Sequence, residues 1–133
     1  MQIKEKLKDR LERFLKAYPS SEEYGGFLLS RWDVVSEFLP VPNLSLLPTG
    51  KFEAPPGARK LADKVARSRR MTIAAFWHYH PTPSIMSAAD LSYAEVCRDI
   101  PFVTISPTAD YGWRKEFIWY ACLGIKPVKI QFI

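Results

Sequence analysis

Cysteine is scarce in this sequence: Cys97 and Cys122 are the only two in 133 residues. They stand apart with no Cys-x-x-Cys pair, which excludes a disulfide framework and a cysteine-bound structural zinc site. A reducing cytoplasm is the expected setting. Glycine is also sparse, six residues against eleven prolines, so the loops are numerous and stiff. No long apolar run occurs. The longest, Phe117 to Ile125, is too short to span a bilayer, and no membrane partner is expected. Met1-Gln-Ile-Lys opens a charged amphipathic segment rather than an apolar signal core, so no secretory peptide is expected. Histidine occurs only as His78 and His80. That excludes a His-Glu-x-x-His helix, and the His-x-Glu with Pro-Cys-x-x-Cys pattern of zinc deaminases is missing too.

What is present suits one globular domain spanning residues 1–133. Hydrophobic residues make up 47% and aromatics 14%, enough to bury a core in a chain of this length. The net charge of +5 comes chiefly from two stretches: residues 1–17 hold six basic and three acidic side chains, and residues 58–70 hold six and one. A basic helix raises the question of nucleic acid or anionic lipid. No zinc-finger, RNA-recognition or glycine-loop pattern accompanies it, and solvated helix faces commonly carry such charge. Nucleic acid is therefore not an expected partner.

Periodicity supplies the elements. Ile3, Leu7, Leu11, Phe14 and Leu15 recur at helical spacing and predict an amphipathic helix ending at Tyr18-Pro19. Tyr24 to Trp32 and Val34 to Val41 read as a strand pair joined at Trp32-Asp33, without the Asn-Gly of the tightest hairpins. Asn43 to Pro56 is an irregular connection with a short strand expected at Lys51-Phe52-Glu53. A second helix follows from about Pro56 to Arg70, with Ala58, Leu61, Ala62, Val65 and Ala66 as its apolar face. Met71 to Trp77 reads as a buried central strand. A helix capped by Ser87 ends near Ile100, Phe102 to Ser106 is another buried strand, and Pro107 to Trp113 is a turn. Arg114 to Leu123 and Lys126 to Ile133 complete the set as two strands around Gly124. Helices and strands in this order predict an α/β fold, a mixed sheet flanked by helices.

The chemistry concentrates between His78 and Asp90. His78 and His80 lie two apart at a strand end, where side chains share a face. Pro81 and Pro83 then force a loop. Ser87 is placed as an N-cap, and Asp90 in the first turn of the helix that follows. Two neutral imidazoles and a carboxylate from two rigid elements suit zinc, with water as a fourth ligand. Spacing alone leaves open that the histidines are surface or core residues and that Asp90 only complements a helix dipole. Upstream, Glu22 and Glu23 would face opposite sides of a strand, and periodicity does not choose between them.

His78-Tyr79-His80-Pro81, a short loop, then Ser87-Ala-Ala-Asp90 resembles the signature of the JAMM metalloproteases, the zinc-bearing branch of the MPN/JAB domain. Glu23-Tyr-Gly-Gly26-Phe-Leu28-Leu29 is similar to that family's upstream Glu-x-x-Gly-x-Leu-Leu. Pro42-Asn43 and Phe52-Glu-Ala-Pro55 echo further stretches that many members carry. The resemblance covers most of the chain in the right order, with the loop between His80 and Ser87 one residue shorter than usual. It implies an MPN/JAB-like fold, a cytidine-deaminase-like three-layer sandwich, with one zinc held by His78, His80 and Asp90. It selects Glu23 over Glu22 as the base and assigns Ser87 to the oxyanion. It implies a zinc-dependent isopeptidase, deubiquitinase-like, that cuts after the C-terminal tail of a ubiquitin-like protein or its conjugates. Three alternatives remain: an MPN-type interaction module without activity, a zinc peptidase acting on small peptides or amino-acid conjugates, and, least favoured, DNA association through the basic face of the second helix. Tyr79 and Trp77 are expected to shape the pocket or pack in the core, and Asn43 to bind substrate or hold its own loop. Cys97 is expected to pack as a small hydrophobe.

Overall fold

The computed structural model describes residues 1–17, 23–43, 52, 54–81, 99–111 and 114–133. The helix expected after Ser87, with Asp90 and Cys97, and Glu22 lie outside them. Ten elements follow in order: β1 (Gln2–Ile3), α1 (Glu5–Ala17), β2 (Tyr24–Arg31), β3 (Val34–Val41), α2 (Ala58–Ser68), β4 (Thr72–Tyr79), β5 (Phe102–Tyr111), β6 (Arg114–Leu123), β7 (Lys126–Val128) and β8 (Gln131–Phe132). The eight strands form one mixed sheet in the order β7-β6-β5-β4-β2-β3-β1-β8. β4 and β5 run parallel, as do β1 with β3 and with β8, and the remaining pairs are antiparallel.

β7 and β8 stand at opposite ends of that order, yet only Lys129 and Ile130 separate them in the chain. Three peptide links reach about 11 Å at most, so the sheet must curl until its two edges meet. α1 fills the concave side. Leu7, Leu11 and Leu15 are fully buried there with Ile3, Val35, Trp77, Tyr79, Val103 and Ile105. Its rim touches both ends of the sheet, since Lys8 lies over Phe132 of β8 and Lys16 over Phe117 of β6. Glu12 accepts a 3.0 Å hydrogen bond from Trp119 Nε1. α2 covers the opposite face, burying Ala62 and Ala66 against Phe27, Leu29, Phe76 and Phe102. The result is the expected α/β architecture, a sheet between helical layers. Trp119→Phe keeps the ring but removes that bond to a carboxylate. Thermal unfolding should show a loss of about 1–3 kcal/mol, and an unchanged melting temperature would mean that Lys8, 3.0 Å from the same oxygen, and solvent satisfy Glu12 equally well.

Several expectations need correction. Ile3 belongs to a strand rather than to the first helix, because its backbone bridges β3 and β8. Phe52 is not in a strand. β4 continues past Trp77 through Tyr79, and β5 runs on through Pro107 to Tyr111 where a turn was expected. The sheet tolerates Pro107 because the β5–β6 register shifts between Pro107 and Ala109, a bulge. The last expected strand is two, bent at Lys129-Ile130 to close the curl. Leu61, placed on the apolar face of α2, is 64% exposed. The hairpin between β2 and β3 turns at Trp32 and Asp33, with φ of 55° and 61°. Two consecutive positive values are those of a type I′ turn, here without glycine. Among the described residues no helix is long and apolar enough to cross a membrane.

Candidate functional site

Register brings the site together. β2 and β4 pair antiparallel with Tyr24 opposite Tyr79 and Gly25 opposite His78. Continuing that ladder by one residue sets Glu23 opposite His80. Alternation then puts Glu23, Gly25 and Phe27 on one face with Phe76, His78 and His80, the face that α2 covers. The outcome is a buried cluster. Glu23 Oε1 lies 3.4 Å from His78 Nε2 and 3.8 Å from His80 Nε2. The two imidazoles stand almost perpendicular, their centroids 6.0 Å apart. The side chains of Glu23 and His78 are 5% and 4% exposed, and that of His80 is 15%. Solvent therefore reaches the cluster chiefly at His80, whose backbone nitrogen is fastened to the Ile105 carbonyl at 2.9 Å.

Three features hold these groups in place. Gly25 leaves a gap opposite His78, and the ring of Phe52 fills it. A Cβ on Gly25 would meet Phe52 Cζ at 2.8 Å. That ring packs on His78 and Phe76 at centroid distances of 5.9 and 5.7 Å, while Phe102 closes the other flank of His78 at 6.0 Å. Asn43 Nδ2 donates a 3.1 Å hydrogen bond to the Glu23 carbonyl oxygen, so it anchors the segment that presents the carboxylate. The two weakest sequence echoes, Pro42-Asn43 and Phe52 to Pro55, thus contribute residues that touch the cluster. Asn43→Ala should lower stability by about 1 kcal/mol. If Glu23 is the base, it should also lower turnover more than substrate affinity, a split that steady-state kinetics would read. An equal loss in both would assign Asn43 to the ligand instead.

Trp77 and Tyr79 do not shape this site. They project to the other face and are fully buried beneath α1, Trp77 against Phe14 and Phe38 and Tyr79 against Tyr24 and Phe117. Two residues escaped the sequence reading. Thr104 pairs with His78 across the parallel β4–β5 ladder, and Ser106 follows two residues later on the same face. Both are buried, and among the described residues the Thr104 hydroxyl has no hydrogen-bond partner. The alternation Phe102, Thr104, Ser106 against Val103 and Ile105 carried the signal, because polar residues at every second place on a buried strand mark a polar floor.

The donor set suits zinc as far as it is described. Two imidazole nitrogens face one carboxylate oxygen, at 3.4 and 3.8 Å, and imidazole and carboxylate are both donors that zinc accepts. Among the described residues no group of three or more His, Cys, Asp or Glu side chains is arranged to hold a metal ion. The third expected ligand, Asp90, and the expected oxyanion donor Ser87 lie outside those residues.

No protein-family model matches this sequence, and neither does any curated protein. Solved structures do. A solution structure of a protein from Desulfitobacterium hafniense is similar with a TM-score of 0.72 and 20% identity, over 99% of this chain and 92% of that one. A solution structure of a protein from Salinibacter ruber is similar at 0.67 and 22%, over 100% and 90%. A crystal structure of a JAB1/MPN domain protein from Archaeoglobus fulgidus is similar at 0.62 and 19%, over 100% and 99%. At these identities the likeness concerns the fold: an MPN/JAB-like fold, as the sequence resemblance implied.

Proposed function

We propose that this protein is a zinc-dependent amide hydrolase of the JAMM kind, with His78, His80 and Asp90 as metal ligands and Glu23 as the base. The observation that carries the reading is the convergence of the Glu23 carboxylate with both imidazole Nε2 atoms in a buried cluster. Burying a carboxylate beside two histidines is costly unless the groups serve one another or a cation. The His-x-His-Pro and Ser-x-x-Asp spacing and the MPN/JAB-like fold support the same reading. When bound, zinc supplies a Lewis acid that polarises a carbonyl and brings the pKa of a water to about 7.

The chain's own residues do the rest. His78 and His80 arrive from one rigid strand, so their separation is set before any ligand binds. Phe52 and Phe102 hold the His78 ring from either side and keep water from it. Glu23 is close enough to take a proton from the attacking water and return it to the leaving amine. Ser87 is assigned to donate a hydrogen bond to the tetrahedral oxyanion. The proposed substrate is the peptide or isopeptide bond after the C-terminal tail of a ubiquitin-like protein. The runner-up substrates are small peptides or amino-acid conjugates.

Elemental analysis should find one zinc per chain. Cleavage of a ubiquitin-like fusion should stop with a chelator and return with added zinc. His80→Ala should lose metal and activity together while the fold survives, since the buried core does not depend on the ion. Unfolding on metal removal would instead make zinc structural. Bound zinc without turnover on fusions or short peptides would leave the interaction module standing.

A further inference from the structure

We propose that the end of the molecule opposite the histidines binds single-stranded nucleic acid, with a base stacked on Trp32 and phosphates held along α2 by Lys60, Lys64, Arg67 and Arg70. β2 leads away from Glu23 and ends at Arg31, so the Trp32 turn lies roughly 27 Å from the pocket at the usual strand rise. This surface is independent of the hydrolase reading.

Trp32 is 90% exposed at the tip of a tight hairpin, which makes it an aromatic platform open to solvent. It lines an open concavity together with Arg31 and Arg70. Arg31 is held there by a 2.6 Å hydrogen bond from Nη2 to the Arg69 carbonyl. The three non-glycine residues with positive φ among those described are Trp32, Asp33 and Arg70; Trp32 and Arg70 line this one place, and Asp33 is the other residue of the Trp32 turn. The hairpin favours Asn-Gly at its two positions. The residue after a helix favours glycine, yet Arg70 stands there. Local preference is set aside three times where an indole and a guanidinium are presented side by side, and such departures gather at functional sites.

The helix continues the surface. Lys60, Lys64 and Arg67 follow at intervals of four and three, so they form one stripe on α2. They line a second open concavity with Gly57, Leu61 and Asp63. All three are exposed. Among the described residues none of them, nor Arg70, forms an ion pair, although Asp63 sits within helical reach of Lys60 and Arg67. The other two basic residues of the segment are neutralised, Arg59 by Asp99 and Arg69 by Glu37. Unpaired cations tracking along a helix toward an exposed aromatic platform are what a polyanion with stackable bases requires. An acidic peptide would use the stripe and not the indole. A membrane would require apolar side chains around Trp32 rather than Arg31, Asp33 and Arg70.

Fluorescence anisotropy of a short labelled deoxythymidine oligomer tests this. Binding should weaken with salt along a log–log slope of about −3, the value for four phosphates on a single strand. Trp32→Asn combined with Asp33→Gly should weaken binding about tenfold or more and leave the melting temperature equal or higher. Removing Asp33 also removes a negative charge, so electrostatics would push the other way. Lys64→Glu with Arg67→Glu should cut the slope by about half. The proposal is overturned by absence of binding, by salt-independent binding, or by full affinity in the hairpin variant. It is equally overturned if an abasic oligomer or polyglutamate of equal charge binds as well, or if phosphatidylserine vesicles bind and the oligomer does not.

Discussion

On the proposed hydrolase reading, Glu23→Gln should keep zinc and fold and lose about 10²- to 10⁴-fold in turnover, the range a general base contributes. Glutamine has the same shape, so contacts with His78, His80 and the Asn43 tether to the backbone carbonyl are all retained. What disappears is the ability to accept a proton. The carboxylate lies 3.4 and 3.8 Å from the two nitrogens, and a group that only handles the proton leaves metal content unchanged when glutamine replaces it. The measurements are kcat on a ubiquitin-like fusion and on short peptides, zinc content and the unfolding midpoint. A fully active variant would remove Glu23 from the chemistry. An inactive variant that had also lost its metal would make the carboxylate a ligand instead.

Gly26→Ala destabilises by about 3 kcal/mol or more, on the order of 10 °C in melting temperature for a chain of this size. A Cβ at Gly26 would fall far inside van der Waals contact of the Leu39 carbonyl oxygen, with the Leu39 carbonyl carbon and Pro40 Cα at 2.9 Å. These are backbone atoms of β3 in the middle of the sheet, and they move only if the β2–β3 ladder opens. Gly25→Ala is the informative contrast. Its new methyl would meet only the tip of the Phe52 ring, which can rotate away. That variant should lose little stability, while Phe52 leaves His78. Thermal unfolding of the pair decides the matter: equal midpoints would show that β3 yields as easily as a side chain.

The two glycines show where reading the sequence works and where it stops. Glu23, Gly26 and Leu28 stand out by spacing and resemblance, but nothing in that spacing says which atoms crowd Gly26. The choice of Glu23 over Glu22 is similar. Alternation alone left both open, and the antiparallel register, with Gly25 opposite His78, sets Glu23 beside the histidines. Tyr79 and Trp77 were ambiguous for the same reason. Each neighbours a histidine in sequence and is turned to the opposite face by a period of two.

Local pattern located α1, α2, β2, β3 and β4, because helical and strand periodicity are properties of adjacent residues, though not the strand at Ile3, the exposure of Leu61 or the end of β4. It failed at Pro107 and at Lys126 to Ile133. There the outcome rests on a bulge and on which distant edge a short segment finds. The meeting of Trp32 with Arg70 was equally out of reach, since 37 positions separate them in the chain.

By itself the sequence determined the α/β class and the presence of a His-x-His strand end with an acid upstream, for these depend on composition and short-range spacing. Only the tertiary structure decided that Glu23 faces both imidazoles, that Phe52 and Asn43 serve the same pocket, and that the sheet curls around α1. Those facts follow from strand register and edge closure, which are set by the packing energy of the whole chain rather than by the preferences of any one stretch.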